Sequence, residues 1–148
     1  MLNNQLTDFS LAGVDAQGRP LLNRVEPGKR PRSAMAPMMV FRDGQVHMLI
    51  GAPGGTAIIN YVAKTLLGVL GYGLDIQRAI DLPNRGSRNY GTEIEEGTKL
   101  TEVVAALKGK GHDVEIRPLP SGLHGIVRTG TGWQGGADPR REGLALGR

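Results

Sequence analysis

The sequence predicts an α+β fold. Apolar residues alternate with a two-residue period in some stretches and recur at three- and four-residue steps in others. The two kinds of stretch follow one another in the order β-β-α-α-β-α-β-β. An Asp-Gly pair between the first two strands adds a hairpin signal, so the pattern reads as antiparallel hairpins packed with helices.

Residues 10–34 come first as loop. They hold Gly13, Gly18, Pro20, Pro27, Gly28 and Pro31 and no sustained apolar period, and Arg24, Lys29, Arg30 and Arg32 make them basic. Strands are predicted at 38–41 and 46–50, joined by Arg42-Asp43-Gly44-Gln45. After Gly51-Ala52-Pro53-Gly54-Gly55-Thr56, the residues Ile58, Ile59, Val62, Leu66, Val69 and Leu70 mark a helix that ends near Gly71-Tyr72-Gly73. Asp75 is the expected N-cap of a short helix to Leu82, with Pro83 beyond it. A strand is predicted near 92–95. Thr98 is the expected cap of a third helix reaching about Lys110, with Leu100, Val103, Val104 and Leu107 on one face and Gly111 at C′. Strands follow at 113–116 and 123–127. The tail from Gly130 to Arg148 is glycine-rich, carries Trp133, and has no predicted element.

Composition narrows the function classes. A chain of 148 residues is one domain or a piece of a larger one. With 39% hydrophobic and 22% charged residues, intrinsic disorder is disfavoured. Only six aromatics are present, so the core must come from Ile, Leu, Val, Met and Ala. The 23 glycines are about twice the usual share but follow no three-residue period, which excludes collagen. The absence of cysteine excludes disulfides, thiolate catalysis and Cys-ligated metal centres. No apolar run approaches the ~18 residues of a membrane span. Met1-Leu2-Asn3-Asn4-Gln5 has neither the basic nor the apolar region of a signal peptide. A net charge of +4 raises nucleic-acid binding, but the basic cluster at 24–32 holds no stacking aromatic, so no nucleic-acid partner is expected. His47, His112 and His124 lack the spacing of a helical zinc site, and no metal is expected.

The most informative local feature is Pro53-Gly54-Gly55-Thr56. Adjacent glycines let a ligand approach the backbone closely, and amides at a helix start lack intrahelical partners. Together they suit a carboxylate, a phosphate or a developing oxyanion. The pattern is neither a P-loop nor a dinucleotide turn, and no cofactor is expected. Taken alone, it equally describes a tight strand-to-helix turn. Ser33 lies among cations and suits a carboxylate, or is a solvated loop serine. Asp8 suits an ammonium group and Gln5 could accept a hydrogen bond from it, or both are ordinary turn residues. Asp138-Pro139-Arg140-Arg141 reads first as a surface turn or an intramolecular ion pair, with anion binding as the alternative.

Four stretches occur in order: Asn3-Asn4-Gln5-Leu6-Thr7-Asp8-Phe9-Ser10, Pro27-Gly28-Lys29-Arg30-Pro31-Arg32-Ser33-Ala34-Met35-Ala36-Pro37, Gly51-Ala52-Pro53-Gly54-Gly55, and Gly136-Ala137-Asp138-Pro139-Arg140-Arg141. Over nearly its whole length the chain resembles the C-terminal part of the small subunit of gamma-glutamyltransferases. The resemblance implies part of an αββα sandwich of the N-terminal-nucleophile hydrolase type. It implies a gamma-glutamyl donor such as glutathione, with water, an amino acid or a peptide as acceptor. The attacking group would be an N-terminal threonine whose own amine is the base. It implies that Gln5 and Asp8 hold the donor's α-ammonium, that Ser33 holds its α-carboxylate, and that Gly54 and Gly55 form the oxyanion hole.

There are departures from the pattern. Ala34 stands where the family has a second serine, which removes one hydrogen bond to the carboxylate. Residues 10–26 hold no tyrosine, so the lid loop of several members has no counterpart. The family's nucleophile lies upstream of the first motif, and none of the eight threonines (7, 56, 65, 92, 98, 101, 129 and 131) replaces it. The expected partners are therefore a large subunit and an upstream small-subunit segment. The alternative is a non-catalytic remnant or glutamate-type binding module. Sheet edges and apolar faces that such partners would cover favour association of the isolated chain. Family members in bacteria are usually periplasmic or secreted.

Overall fold

The computed structural model describes residues 4–88 and 91–147; Met1, Leu2, Asn89, Tyr90, Arg148 and Asn3 of the first motif lie outside the described residues. The chain divides into two compact units, Met1–Ala34 and Met35–Arg148.

The first unit is the predicted loop, opened by one 3-10 turn at Gln5–Asp8. Side chains organise it. Asp15 Oδ1 accepts from the amides of Gln17 and Arg19, both at 2.9 Å, and its Oδ2 accepts from Arg19 Nε at 2.7 Å. These bonds, led by the Arg19 amide, hold the Asp15 carboxyl below its ordinary range. Isolated bridges join Ser10 with Arg24 and Val14 with Pro20.

The second unit is α+β. Its strands are β1 (Met38–Arg42), β2 (Gln45–Gly51), β3 (Arg85–Ser87), β4 (Thr92–Glu95), β5 (Val114–Arg117), β6 (His124–Arg128) and β7 (Trp133–Ala137). Its helices are α1 (Ile58–Leu66), α2 (Ile76–Asp81) and α3 (Val104–Gly109). One sheet runs β1-β2-β6-β7, antiparallel throughout; a second runs β3-β4-β5. Asp43 and Gly44, with φ of 51° and 73°, make the β1–β2 turn in the left-handed region that the Asp-Gly pair predicts. The sequence order holds, with four physical corrections. The β4–β5 pair is parallel, connected through α3 rather than by a hairpin. β3 and β7 were not foreseen, being short or glycine-rich with no apolar alternation. The predicted helix over 58–70 widens into a π turn at Leu67–Gly71. The third helix begins as 3-10 over Lys99–Val103, and the Thr98 hydroxyl donates to Glu95 O at 2.8 Å instead of capping it.

Two other boundaries follow their local chemistry. Asp75 Oδ1 accepts from the Arg78 amide at 3.0 Å, the predicted N-cap of α2. After α3, the Gly111 amide donates to Lys108 O and the His112 amide to Leu107 O, a Schellman closure that needs the left-handed φ of 86° at Gly111.

Period two divides the larger sheet into two faces. Met48 and Ile50 of β2 are buried against Ile58, Tyr61 and Val62 of α1 and Ile76 and Ile80 of α2, with Leu119 and Leu123. Each such side chain contributes about 1.5–3 kcal/mol on burial. Met39, Leu49, Ile126 and Gly135 form a row of register partners across the four strands. That row lines an open hollow of about 790 Å³ together with residues including Leu144 and Leu146.

Between α2 and the smaller sheet lies a buried polar centre. The Asp138 carboxylate accepts from Ser121 Oγ (2.5 Å), the Leu123 amide (3.1 Å), the Arg140 amide (3.0 Å) and Arg140 Nη1 (3.1 Å). Arg140 grips both oxygens of Glu95, at 2.5 and 3.0 Å. Asn84 Nδ2 donates to Ser121 Oγ (2.7 Å) and Leu119 O (2.9 Å). Lys64 Nζ donates to Ile80 O (2.8 Å) and Leu82 O (2.6 Å), the carbonyls that end α2. Of the readings open for Asp138-Pro139-Arg140-Arg141, the structure selects the intramolecular ion pair. It is not a surface turn: Asp138 is 1% exposed. Burial alone would raise the Asp138 pKa, but the hydrogen bonds outweigh it and hold the carboxyl below its ordinary range.

Candidate functional site

The glycine pair lies between β2, which ends at Gly51, and α1. Gly54 and Gly55 have φ of 137° and 58°, values that L side chains rarely adopt. A Cβ on Gly54 would stand 2.7 Å from Tyr61 Cε2, whereas a Cβ on Gly55 would meet nothing within 4 Å. Thus Gly54 is required by both conformation and space, and Gly55 by conformation alone. The first bond of the following turn runs from the Ala57 amide to Gly54 O (3.3 Å), so the Gly54 and Gly55 amides precede the helical ladder.

Three contacts fix this turn. Pro53 lies against Gly122, where a Cβ would be 2.6 Å from Pro53 Cγ. The Tyr61 ring backs Gly54. Arg88 Nη1 donates to Thr56 Oγ1 while its Nη2 reaches Glu93 Oε1 at 2.5 Å. Burial raises the Tyr61 pKa, and the charges of Glu93 and Glu95 raise it further, so the ring hydroxyl stays neutral.

Gln5, Asp8 and Ser33 all fall in the first unit. Gln5 and Asp8 bound the 3-10 turn. The fold grips Asp8 by its backbone carbonyl, which accepts from Asn23 Nδ2 at 2.8 Å. The same amide's Oδ1 accepts from the Arg32 N–H at 2.9 Å, one residue before Ser33. Ser33 is exposed. Two of the cations expected around it are engaged elsewhere. Arg24 Nη2 and Lys29 Nζ reach Glu26 at 2.8 and 2.5 Å, and those bonds, the one from Lys29 first, lower the Glu26 pKa. Sequence reasoning missed Asn23, because its bonds span 15 and 9 residues and leave no local pattern. It also missed Tyr61, which lies outside the apolar set that marks this helix in the sequence.

Among the described residues, no group of three or more His, Asp or Glu side chains is clustered as for a metal ion, and no helix is long and apolar enough to cross a membrane.

The family model for gamma-glutamyltranspeptidase matches residues 1–148. The chain belongs to the gamma-glutamyltranspeptidase family. Among its relatives, the glutathione hydrolase proenzyme of Bacillus subtilis is 32% identical over 99% of this chain, and that of Escherichia coli 31% identical over 95%. The matches cover 24% and 25% of those proteins, so the chain spans about a quarter of their length. A Helicobacter pylori gamma-glutamyltranspeptidase mutant superposes with a TM-score of 0.80 at 27% identity, over 95% of this chain and 81% of that one. The α+β fold is therefore that of the family, part of an N-terminal-nucleophile hydrolase sandwich. In this chain the Gly54-Gly55 turn presents two amides ahead of a helix, and the Asp8 and Ser33 segments are joined through one asparagine.

Proposed function

We propose that this chain supplies the donor-holding and oxyanion-stabilising part of a gamma-glutamyltransferase or glutathione hydrolase. The observation that carries the reading is the Gly54-Gly55 turn. Its backbone has positive φ at both residues, Tyr61 closes the space behind Gly54, and the Gly55 side is open.

In this reading Asp8 and Gln5 hold the donor's α-ammonium and Ser33 its α-carboxylate. A threonine hydroxyl from outside residues 1–148 attacks the γ-carbonyl carbon and gives its proton to a base. The carbonyl oxygen becomes an oxyanion, stabilised by the Gly54 and Gly55 amides. The C–N bond then breaks, the amine leaves with the proton, and the γ-glutamyl ester passes to water or to an amino group. The amides favour the tetrahedral state over the planar ground state and so act on kcat. The donor's ends do not react, so Asp8 and Ser33 act chiefly on KM.

The test is to assemble the chain with a large subunit and an upstream small-subunit segment and to follow γ-glutamyl-p-nitroanilide. Turnover is expected only in the assembly. Turnover by residues 1–148 alone, or none in a folded assembly, would overturn the reading.

A further inference from the structure

The geometry points to Asn23 as a positioning residue that sets the spacing between the two ends of the donor site. This inference rests on the donor roles proposed above for Asp8 and Ser33. No motif includes Asn23, and it contributes no group to the chemistry.

The argument begins with what each neighbour can do. The Asp8 carbonyl can only accept a hydrogen bond, and the Arg32 amide can only donate one. A single side chain joining them must offer one donor and one acceptor on a short, planar head. A primary amide does so, and its orientation follows: Nδ2 faces Asp8 O at 2.8 Å and Oδ1 faces the Arg32 amide at 2.9 Å. The backbone of Asn23 completes the clamp, since its carbonyl accepts from the Ser10 amide at 2.8 Å. Nδ2 also lies 3.5 Å from Ser10 Oγ.

The clamp therefore reaches two residues past Asp8 on one side and one residue short of Ser33 on the other. The Asp8 segment is a single 3-10 turn and the Ser33 segment is irregular, and neither residue lies in a strand or an α-helix. A donor carrying an ammonium and a carboxylate on one carbon requires its two holding groups at a fixed separation. The fold leaves the Asp8 carboxylate out of the clamp and takes its backbone instead, as suits a group that holds a ligand. Replacing Asn23 should relax that separation while removing neither holding group.

The test uses the assembled enzyme and three anilide donors. They are γ-glutamyl, with both end groups; glutaryl, without the ammonium; and 4-aminobutyryl, without the carboxylate. Asn23→Ala should lower kcat/KM for the γ-glutamyl donor by about tenfold or more, within the roughly hundredfold that an ångström's misplacement can cost. Most of that loss should be in KM, with the single-ended donors changed far less, so that selectivity collapses. Asn23→Asp keeps the acceptor for Arg32 but loses the donor to Asp8. Preference over the glutaryl donor should fall, and preference over the 4-aminobutyryl donor should largely remain. A merely structural role would reduce folded enzyme and lower kcat for all three donors alike. That result, unchanged selectivity in both variants, or failure of both to assemble, would overturn the clamp. If the unaltered assembly turned over none of the donors, the proposed function would fail first and the clamp with it. If it turned them over with no preference for two-ended donors, only the assignment of the two ends would fall, together with the clamp between them.

Discussion

Asp8 and Asp138 are both motif aspartates, and the protein treats them in opposite ways. Asp138 spends its carboxylate on four donors from Ser121, Leu123 and Arg140, inside the second unit. Asp8 is held by its backbone carbonyl, in a loop unit organised by the side chains of Asn23, Asp15 and Glu26. A carboxylate saturated by its own fold has no capacity left for a ligand, whereas one positioned through its backbone keeps it. The difference separates a motif residue that the fold uses as architecture from one whose carboxylate is left for the donor role proposed above.

The sharpest way to break the comparison is to remove each carboxylate and measure stability. Asp138→Ala leaves the Ser121 hydroxyl and the Leu123 and Arg140 amides without their acceptor in a buried site, while the Arg140 guanidinium keeps Glu95. Each buried donor left unsatisfied costs about 1–3 kcal/mol, so a loss of about 3 kcal/mol or more is expected. The same substitution at Asp8 removes no side-chain bond made among the described residues, and about 0.5 kcal/mol or less is expected. Urea unfolding of the two variants beside the parent chain measures both. Equal losses would erase the distinction. On the acid side, the Asp138 carboxyl is held below its ordinary value, so its contribution is complete above about 3.8 and drains away as pH falls through the lower folded value. Asp138→Asn should flatten that acid limb.

Activity should reverse the ranking. In the assembled enzyme, Asp8→Ala leaves the donor's ammonium unpaired, a loss of about 2–5 kcal/mol when the site is closed to water. The donor KM should rise at least as clearly as kcat falls. Unchanged KM and kcat would remove Asp8 from the donor site without touching the family assignment.

How far the sequence reveals each region has a physical explanation. The hairpin, the Asp75 cap and the Gly111 closure are legible because their chemistry is local: an Asp-Gly turn, an i to i+3 side-chain bond, a left-handed glycine. β7 is not, because Gly135 and Gly136 give no alternation. Gly136 is small because a Cβ there would stand 2.9 Å from Ile80 Cδ1, and the Gln77 side chain pairs with both backbone groups of Ala137. These are decisions of tertiary packing. The glycine pair was legible both as a backbone-approach turn and through its motif. Asp8 and Ser33 enter the proposed site only through the motifs, since their spacing alone fits any polar loop. Asn23 was legible through neither.

A smaller effect sharpens the comparison within the buried centre. Burial, aided by the charge of Arg140, pulls the Lys64 pKa down to about 8 from 10.5. Between these values the unfolded chain holds a proton that the folded chain has lost, so stability rises with pH across that window. Below about 8 the full penalty of burying the ammonium is present. The neutral amine still has two hydrogens for Ile80 O and Leu82 O. The rise is at most about 3 kcal/mol. Tyr61, whose pKa is raised, works in the opposite sense above about 10. The measurement is therefore the difference between the parent and Lys64→Met from pH 7.5 to 10. Parallel curves would show that Lys64 does not titrate in this window.

The smallest expected effect lies at Ala34, beside Ser33 in the loop unit. The resemblance implies a second serine here, and this chain has only the methyl. Ala34→Ser adds one hydroxyl that can donate to the donor's carboxylate. A hydrogen bond to a charged group has a net value of about 1.5–3 kcal/mol. Ser33 is exposed, so water already competes for that carboxylate and the low end applies. About 1.5 kcal/mol corresponds to a donor KM roughly tenfold lower. Because the new bond is present before and during reaction, kcat should hardly change. The gain should also vanish with the 4-aminobutyryl donor, which has no carboxylate to receive it. An equal gain with that donor would mean that the hydroxyl acts through the loop's packing, and Ser33 would lose its assignment to the carboxylate end.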